Sequence, residues 1–241
     1  MNVHIIQHEV YEAPGAFLSW IEEKNFTSSF SRVFIDDPLP QSADNIDILI
    51  VMGGPQSPDT SIEQCPHFNA KAEIALIQKC IQNKKIVIGV CLGAQLIGEA
   101  LGAKYEHSPE KEIGVWPIQL TVDGLKDNNI KHFGTNLPVG HWHNDMPGLT
   151  KDCKILAQSI GCPRQIICYS DFVYGFQCHM EFTPEVVDLL INEEEDFLQN
   201  NTKHVFVQKP DVIRHQDFSK MNQKLKEFLD NISYIYRQAK S

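Results

Sequence analysis

The chain has 241 residues, 42% hydrophobic and 22% charged, enough to bury one sizeable core in an ordinary globular fold. A formal net charge of −10 with scattered Lys and Arg leaves no basic stripe, which argues against nucleic acid or an anionic membrane as partner. No signal-like N-terminus or bilayer-length apolar run is present, and seven irregularly spaced cysteines suit a reducing compartment, so a cytoplasmic location is expected.

Residues 3–7 (VHIIQ) read as a first strand. Residues 14–25 (PGAFLSWIEEKN) read as a first helix, with Phe17, Trp20 and Ile21 on one face. A second strand is predicted over 32–36 (RVFID). Residues 46–52 (IDILIVM) form a buried-strand run that stops at GGPQS, a turn by composition. Helical spacing over 67–83 aligns Phe68, Ala72, Ala75, Leu76, Lys79 and Cys80, and KIVIGV (85–90) is the strongest central-strand pattern. Between 113 and 178, GVWPIQLTV, KILAQS, QIICYS and VYGFQCH predict short, partly antiparallel strands.

Thr183 as N-cap and Pro184 at the first helical position open a helix over 183–199. NNTKH (200–204) is a linker by composition. Phe218, Met221, Leu225, Phe228, Ile232 and Ile235 then give one apolar helix face. The chain thus divides into residues 1–199 and a C-terminal linker and amphipathic helix, 200–241. That helix is expected to pack on the core, with homodimerisation as the alternative. Alternating strands and helices make the fold class α/β with a largely parallel sheet.

Three stretches carry chemistry. In Gly89-Val90-Cys91-Leu92-Gly93 a thiol sits where a strand meets a helix, flanked by glycines, which is the outline of a nucleophile elbow. Small neighbours permit the tight bend, and the helix N-terminus favours thiolate over thiol. A lone cysteine there is as readily a small buried hydrophobe, so the reading depends on its company. MGGPQS (52–57) ends another strand, and its Gly54 could offer an amide across from that of Leu92, forming an oxyanion hole. In GFQCHMEFTPE (175–185), His179 and Glu181 are two apart at a strand end and project to the same side, so the carboxylate can orient the imidazole.

Together these stretches resemble the class I, triad-type glutamine amidotransferases, most nearly the stand-alone group similar to the amidotransferase domain of GMP synthase. The resemblance covers about residues 3–190 and rests on MGGPQSP, GVCLGAQLIGEALGAKYEHSPEKEIGVWPIQLT, HWHND and GFQCHMEFTPE. It implies an open, flavodoxin-like sheet with helices on both faces, and an amidotransferase domain over 1–199. It also implies Cys91 as nucleophile, His179 as general base and acid, and Glu181 as the group that orients it. Gly54 and Leu92 correspond to the oxyanion amides, and Gln95, Trp142, His143, Asn144 and Asp145 to substrate-binding positions. The implied reaction releases glutamate and ammonia from glutamine, with ammonia passed to a synthetase partner. No metal or cofactor is expected. Met180 departs from the usual proline between the histidine and the glutamate, while both chemical residues remain.

Other readings exist. A γ-glutamyl peptidase or hydrolase would use the same triad on a larger leaving amine. His141 and His143 could ligate a metal, but HME lacks the P-C-x-x-C of zinc deaminases and no cysteine pair has zinc-site spacing. The duller account places them in a loop beside the pocket, with one imidazole lining it. A regulatory subunit without turnover is the third alternative. Cys65, Cys80, Cys153, Cys162, Cys168 and Cys178 read as structural sulfurs, Cys178 facing away from His179.

Overall fold

The computed structural model describes residues 1–201 and 203–240. β1 (Asn2–Gln7), α1 (Ala16–Glu23), β2 (Thr27–Arg32), β3 (Ile48–Val51), α2 (Ala70–Gln82), β4 (Ile86–Val90) and α3 (Leu92–Ala100) make the first half. β5 (Glu106–Leu120), β6 (Asn136–Met146), β7 (Lys154–Gln158), β8 (Ile166–Ser170) and β9 (Val173–Phe176) follow. α4 (Pro184–Glu193), α5 (Glu195–Asn201), β10 (Phe206–Val207), α6 (Pro210–Arg214) and α7 (Ser219–Lys240) complete the chain.

One sheet runs in the order β10-β5-β7-β8-β9-β4-β3-β1-β2, with β6 paired to β5. The strands from β2 to β9 are parallel neighbours, and antiparallel pairing joins β9 through β8 and β7 to β5 and β6. The sheet is therefore mixed around a parallel centre, with helices on both faces. Side chains alternate between two cores, as period two requires. Ile48 and Ile50 pack with α1, α4 and α7, whereas Leu49 and Val51 pack with α2 and α3. Burial on both faces is why the central strands read as unbroken apolar runs.

The α1 crossover lies on one face and the α2 crossover on the other. The crevice between β1 and β3 is therefore a topological switch point, where open α/β sheets place ligands beyond the strand C-termini.

Several elements differ from the sequence reading. The second strand is the polar TSSFSR of β2, fixed by its ladder to β1 from Asn2↔Thr27 to Gln7↔Arg32. The more apolar RVFID instead contains a 3₁₀ turn over Val33–Ile35, with Ile35 exposed. An edge strand needs no apolar pattern because backbone pairing alone can hold it. The buried face of α2 is Ala70, Glu73, Leu76, Ile77 and Cys80, so Ala72, Ala75 and Lys79 point elsewhere. The expected 183–199 helix breaks at Glu194, and Asn200 and Asn201 of the expected linker close α5; Thr202 lies outside the described residues. In α7 Ile235 is exposed, and Leu229 and Tyr236 join the face predicted from Met221 to Ile232.

Candidate active site

Cys91 follows β4 directly and serves as N-cap of α3, at φ 49° and ψ −109°. This left-handed φ is costly for a residue with a side chain. It is held by main-chain bonds: the Cys91 N–H donates to Phe176 O at 2.7 Å, and its carbonyl accepts from Ala94 N at 3.0 Å. The flanking glycines are required by close approach. A Cβ on Gly93 would lie 2.0 Å from Val51 O, and one on Gly89 would lie 2.3 Å from Gly93 O. The thiol is 6% exposed and reaches a cavity of about 440 Å³. Its hydrogen bond is a long one, to Trp142 O at 3.8 Å.

His179 lies just beyond β9, pinned to β6 by reciprocal main-chain bonds with Gly140 of 2.8 and 3.1 Å. Its Nδ1 is 2.7 Å from Glu181 Oε1, and both side chains are buried. With Nδ1 donating to the carboxylate, Nε2 is left as the acceptor. Among the described residues Nε2 makes no hydrogen bond, and the nearby Cys91 sulfur favours its protonation. Burial works against a charged ring here, but Glu181 and Cys91 together raise His179 well above the ordinary histidine value. Phe182 stacks on the imidazole at 4.3 Å and 18° and restricts its rotation. Glu181 is anchored in turn, since Ala16 N donates to its carbonyl at 2.9 Å.

Gly54 lines the cavity, and a Cβ there would come within 3.1 Å of Leu92 Cδ2. The two residues expected as oxyanion donors are thus brought together beside Cys91, with Leu92 opening α3. The Gly53–Gly54 turn is held by His8, whose Nδ1 meets Gly53 O at 2.8 Å and whose Nε2 meets Glu73 Oε2 at 2.8 Å. Both ring nitrogens face acceptors. Burial would lower the His8 pKa, but Glu73 and the Gly53 carbonyl raise it above the ordinary value.

Gln95, Trp142, Asn144 and Asp145 all reach the cavity. Gln95 is fixed by Gln177, 3.2 Å away. HWHND forms the end of β6, not the loop expected for it. His143 touches the cavity through its main chain, because its side chain is only 1% exposed. Strand alternation turns the imidazoles of His141 and His143 away from Trp142 into a buried cluster with Glu112, 3.6 and 3.4 Å from its Oε2. That carboxylate also accepts from Ser159 and Gln165, each at 2.7 Å. Neither imidazole therefore lines the pocket.

The glutamine amidotransferase class I family profile matches residues 22–195. The chain is 50% identical over 238 residues to the glutamine amidotransferase-like protein YfeJ of Salmonella typhimurium, covering 99% of this chain and 100% of that one. It is 26% identical to the glutamine-hydrolyzing GMP synthase of Aeromonas salmonicida over 56% of this chain and 25% of that one. Among solved structures, SMU.1228c superposes with a TM-score of 0.95 at 47% identity, covering 97% of this chain and 100% of that one.

The chain belongs to the class I glutamine amidotransferase family.

Within this amidotransferase fold, Glu12, Lys111, Glu194 and Phe197 are among the cavity residues that escape the sequence reading. Glu12, in the loop after β1, is 6% exposed and lines the cavity. Burial pushes its carboxyl up to about 7; His179 opposes the rise, and Glu181 and Glu194 add to it. Glu194, at the α4–α5 break, accepts from Trp142 Nε1 at 2.9 Å, and burial raises its carboxyl too. Lys111 and Phe197 complete the rim, the ammonium lying 4.6 Å over the ring. Glu194 and Phe197 lie in a stretch that reads as one unbroken helix over 183–199, so its spacing does not mark them as facing a cavity. Glu12 sits in a loop without a pattern, and Lys111 in a stretch whose resemblance assigns it no role.

Proposed function

We propose that this protein hydrolyses the side-chain amide of a γ-glutamyl substrate, glutamine in the first instance, through a thioester on Cys91. His179 Nε2 takes the Cys91 proton as sulfur attacks the amide carbon, then delivers it to the departing nitrogen. Glu181 fixes the imidazole tautomer and offsets the charge it acquires. The Gly54 and Leu92 amides stabilise the tetrahedral oxyanions before and after the thioester, a donor of this kind contributing about 3 kcal/mol. Water, deprotonated by His179, releases glutamate. Gln95 and the Trp142, His143, Asn144 and Asp145 segment hold the substrate.

One observation carries this reading. A strained, partly open thiol at a helix N-terminus meets a buried imidazole whose other nitrogen is already committed to a carboxylate. Ammonia would pass to a synthetase partner, a reading supported by similarity to a glutamine-hydrolyzing GMP synthase of which the match spans a quarter. The cavity volume, about 440 Å³, favours a second reading beside it, in which the leaving group is an amine larger than ammonia. Assaying glutamate release from glutamine and from γ-glutamyl amides tests both. Activity in the wild type and none in a folded Cys91→Ala variant is expected, and retained turnover in that variant overturns the assignment.

A further inference from the structure

The acidic side of the cavity contains a carboxylate with no hydrogen-bond or ion-pair partner of its own. Glu12 is 94% buried, and among the described residues its carboxylate makes no hydrogen bond and no ion pair. Its position is known from two contacts at one point: a Cβ on Gly53 would lie 2.6 Å from Glu12 Oε2 and 3.2 Å from His179 Cε1. The carboxylate therefore stands beside the carbon edge of the catalytic imidazole. It is not the partner of Nδ1, which belongs to Glu181.

The nearby cations are also taken. His8 is closed by Glu73 at 2.8 Å and His179 by Glu181 at 2.7 Å. Lys111, the lysine on the cavity wall, is held at the rim over Phe197 and donates to Asn201 Oδ1 at 3.2 Å. Glu194 and Asp145 add two more carboxylates to the lining. Asp145 is bound by His107 and Glu194 by Trp142, so Glu12 alone is left open to the cavity. A largely buried carboxylate that faces a cavity without a partner is stabilised by an incoming group that supplies the missing charge and donors. A cationic group carrying N–H bonds meets that need, within reach of the nitrogen expelled from the acyl carbon that Cys91 attacks.

We propose that Glu12, flanked by Glu194, forms a subsite for an aliphatic ammonium group of the substrate, next to the scissile amide. This rests on the γ-glutamyl hydrolysis proposed above and narrows its substrate class. The ammonium is either the α-amino group of the γ-glutamyl moiety or a second amino group on the leaving amine. Both present the same chemistry to the carboxylate.

Binding to the non-turning Cys91→Ala protein, followed by calorimetry, separates this proposal from the hydrolytic one. Two matched pairs serve as probes. Glutamine against its analogue lacking the α-amino group tests the first source, and γ-glutamyl-1,4-diaminobutane against γ-glutamyl-butylamine tests the second. The cationic member of at least one pair should bind about tenfold or more tightly, as a charge-assisted hydrogen bond gives. Adding Glu12→Gln should bring that ratio close to one, and the pair affected identifies the source. Equal binding within both pairs overturns the subsite without any Glu12 variant, and so does a preference that survives Glu12→Gln. Absence of hydrolysis by the wild-type protein, with the ammonium preference intact, would instead sink the hydrolytic reading and leave the subsite standing.

Discussion

Two buried histidines beside Gly53, His8 and His179, each have a carboxylate of their own, whereas Glu12 stands near both with none. The consequence is measurable as stability. Burial lifts the Glu12 carboxyl from an ordinary 4.5 to about 7, so the folded chain binds a proton there more tightly than the unfolded chain does. A raised acid contributes stability that is fully present below the unfolded pKa and is lost as pH rises through the folded one. Glu12→Gln removes this dependence. We expect the variant to gain on the wild type between pH 4.5 and 7, levelling off above at up to about 3 kcal/mol. Urea titrations at several pH values check it, and an advantage that shrinks with rising pH would contradict the assigned environment. Such a cost at neutral pH accords with the ligand-binding role proposed for this carboxylate.

The C-terminal helix α7 bears on the site as an element. Phe228, Leu229 and Ile232 are fully buried against the sheet, and Trp20 Nε1 donates to Asp230 at 2.8 Å. More directly, Asn222 Nδ2 donates to Met180 O at 2.8 Å and to Phe182 O at 2.9 Å, gripping the main chain on both sides of Glu181. Asn222→Ala leaves two buried carbonyls unsatisfied, costing about 1–3 kcal/mol. It also loosens the segment that aims His179. Because small misplacement of a catalytic group is expensive, we expect kcat to fall by about tenfold or more while KM changes little. Steady-state kinetics at a temperature where the variant is folded decides, and an unchanged kcat would show the grip to be structural only. Apolar spacing made this helix legible in the sequence, but a single asparagine on a helix gives no sign of which carbonyls it will meet 40 residues away.

At the scale of the molecule, the legible part of the site is the part written at strand ends. Gly54, Cys91 and His179 each follow a run that the sheet buries on both faces, so the apolar pattern stops where the chemistry begins. The elbow could be read because the close approach of Gly89 and Gly93 to neighbouring backbone admits no side chain. Glu12, Lys111 and Glu194 could not be read, since they meet only through the crossing of β5, the β1 loop and the α4–α5 break. The polar β2 and the inward turn of His141 and His143 were hidden for a related reason. Register within a sheet, not residue type, decides which way they face.

The account turns on Cys91 being the atom that bonds to substrate, and mass mapping after inactivation tests this most directly. The probe is a glutamine analogue with a diazoketone in place of its amide, which needs both a nucleophilic sulfur and a proton from the adjacent imidazole. We predict a single adduct on Cys91, blocked by excess glutamine, with activity lost in proportion to labelling. Inactivation with the label on any other cysteine, or full turnover by protein already labelled at Cys91, would contradict it.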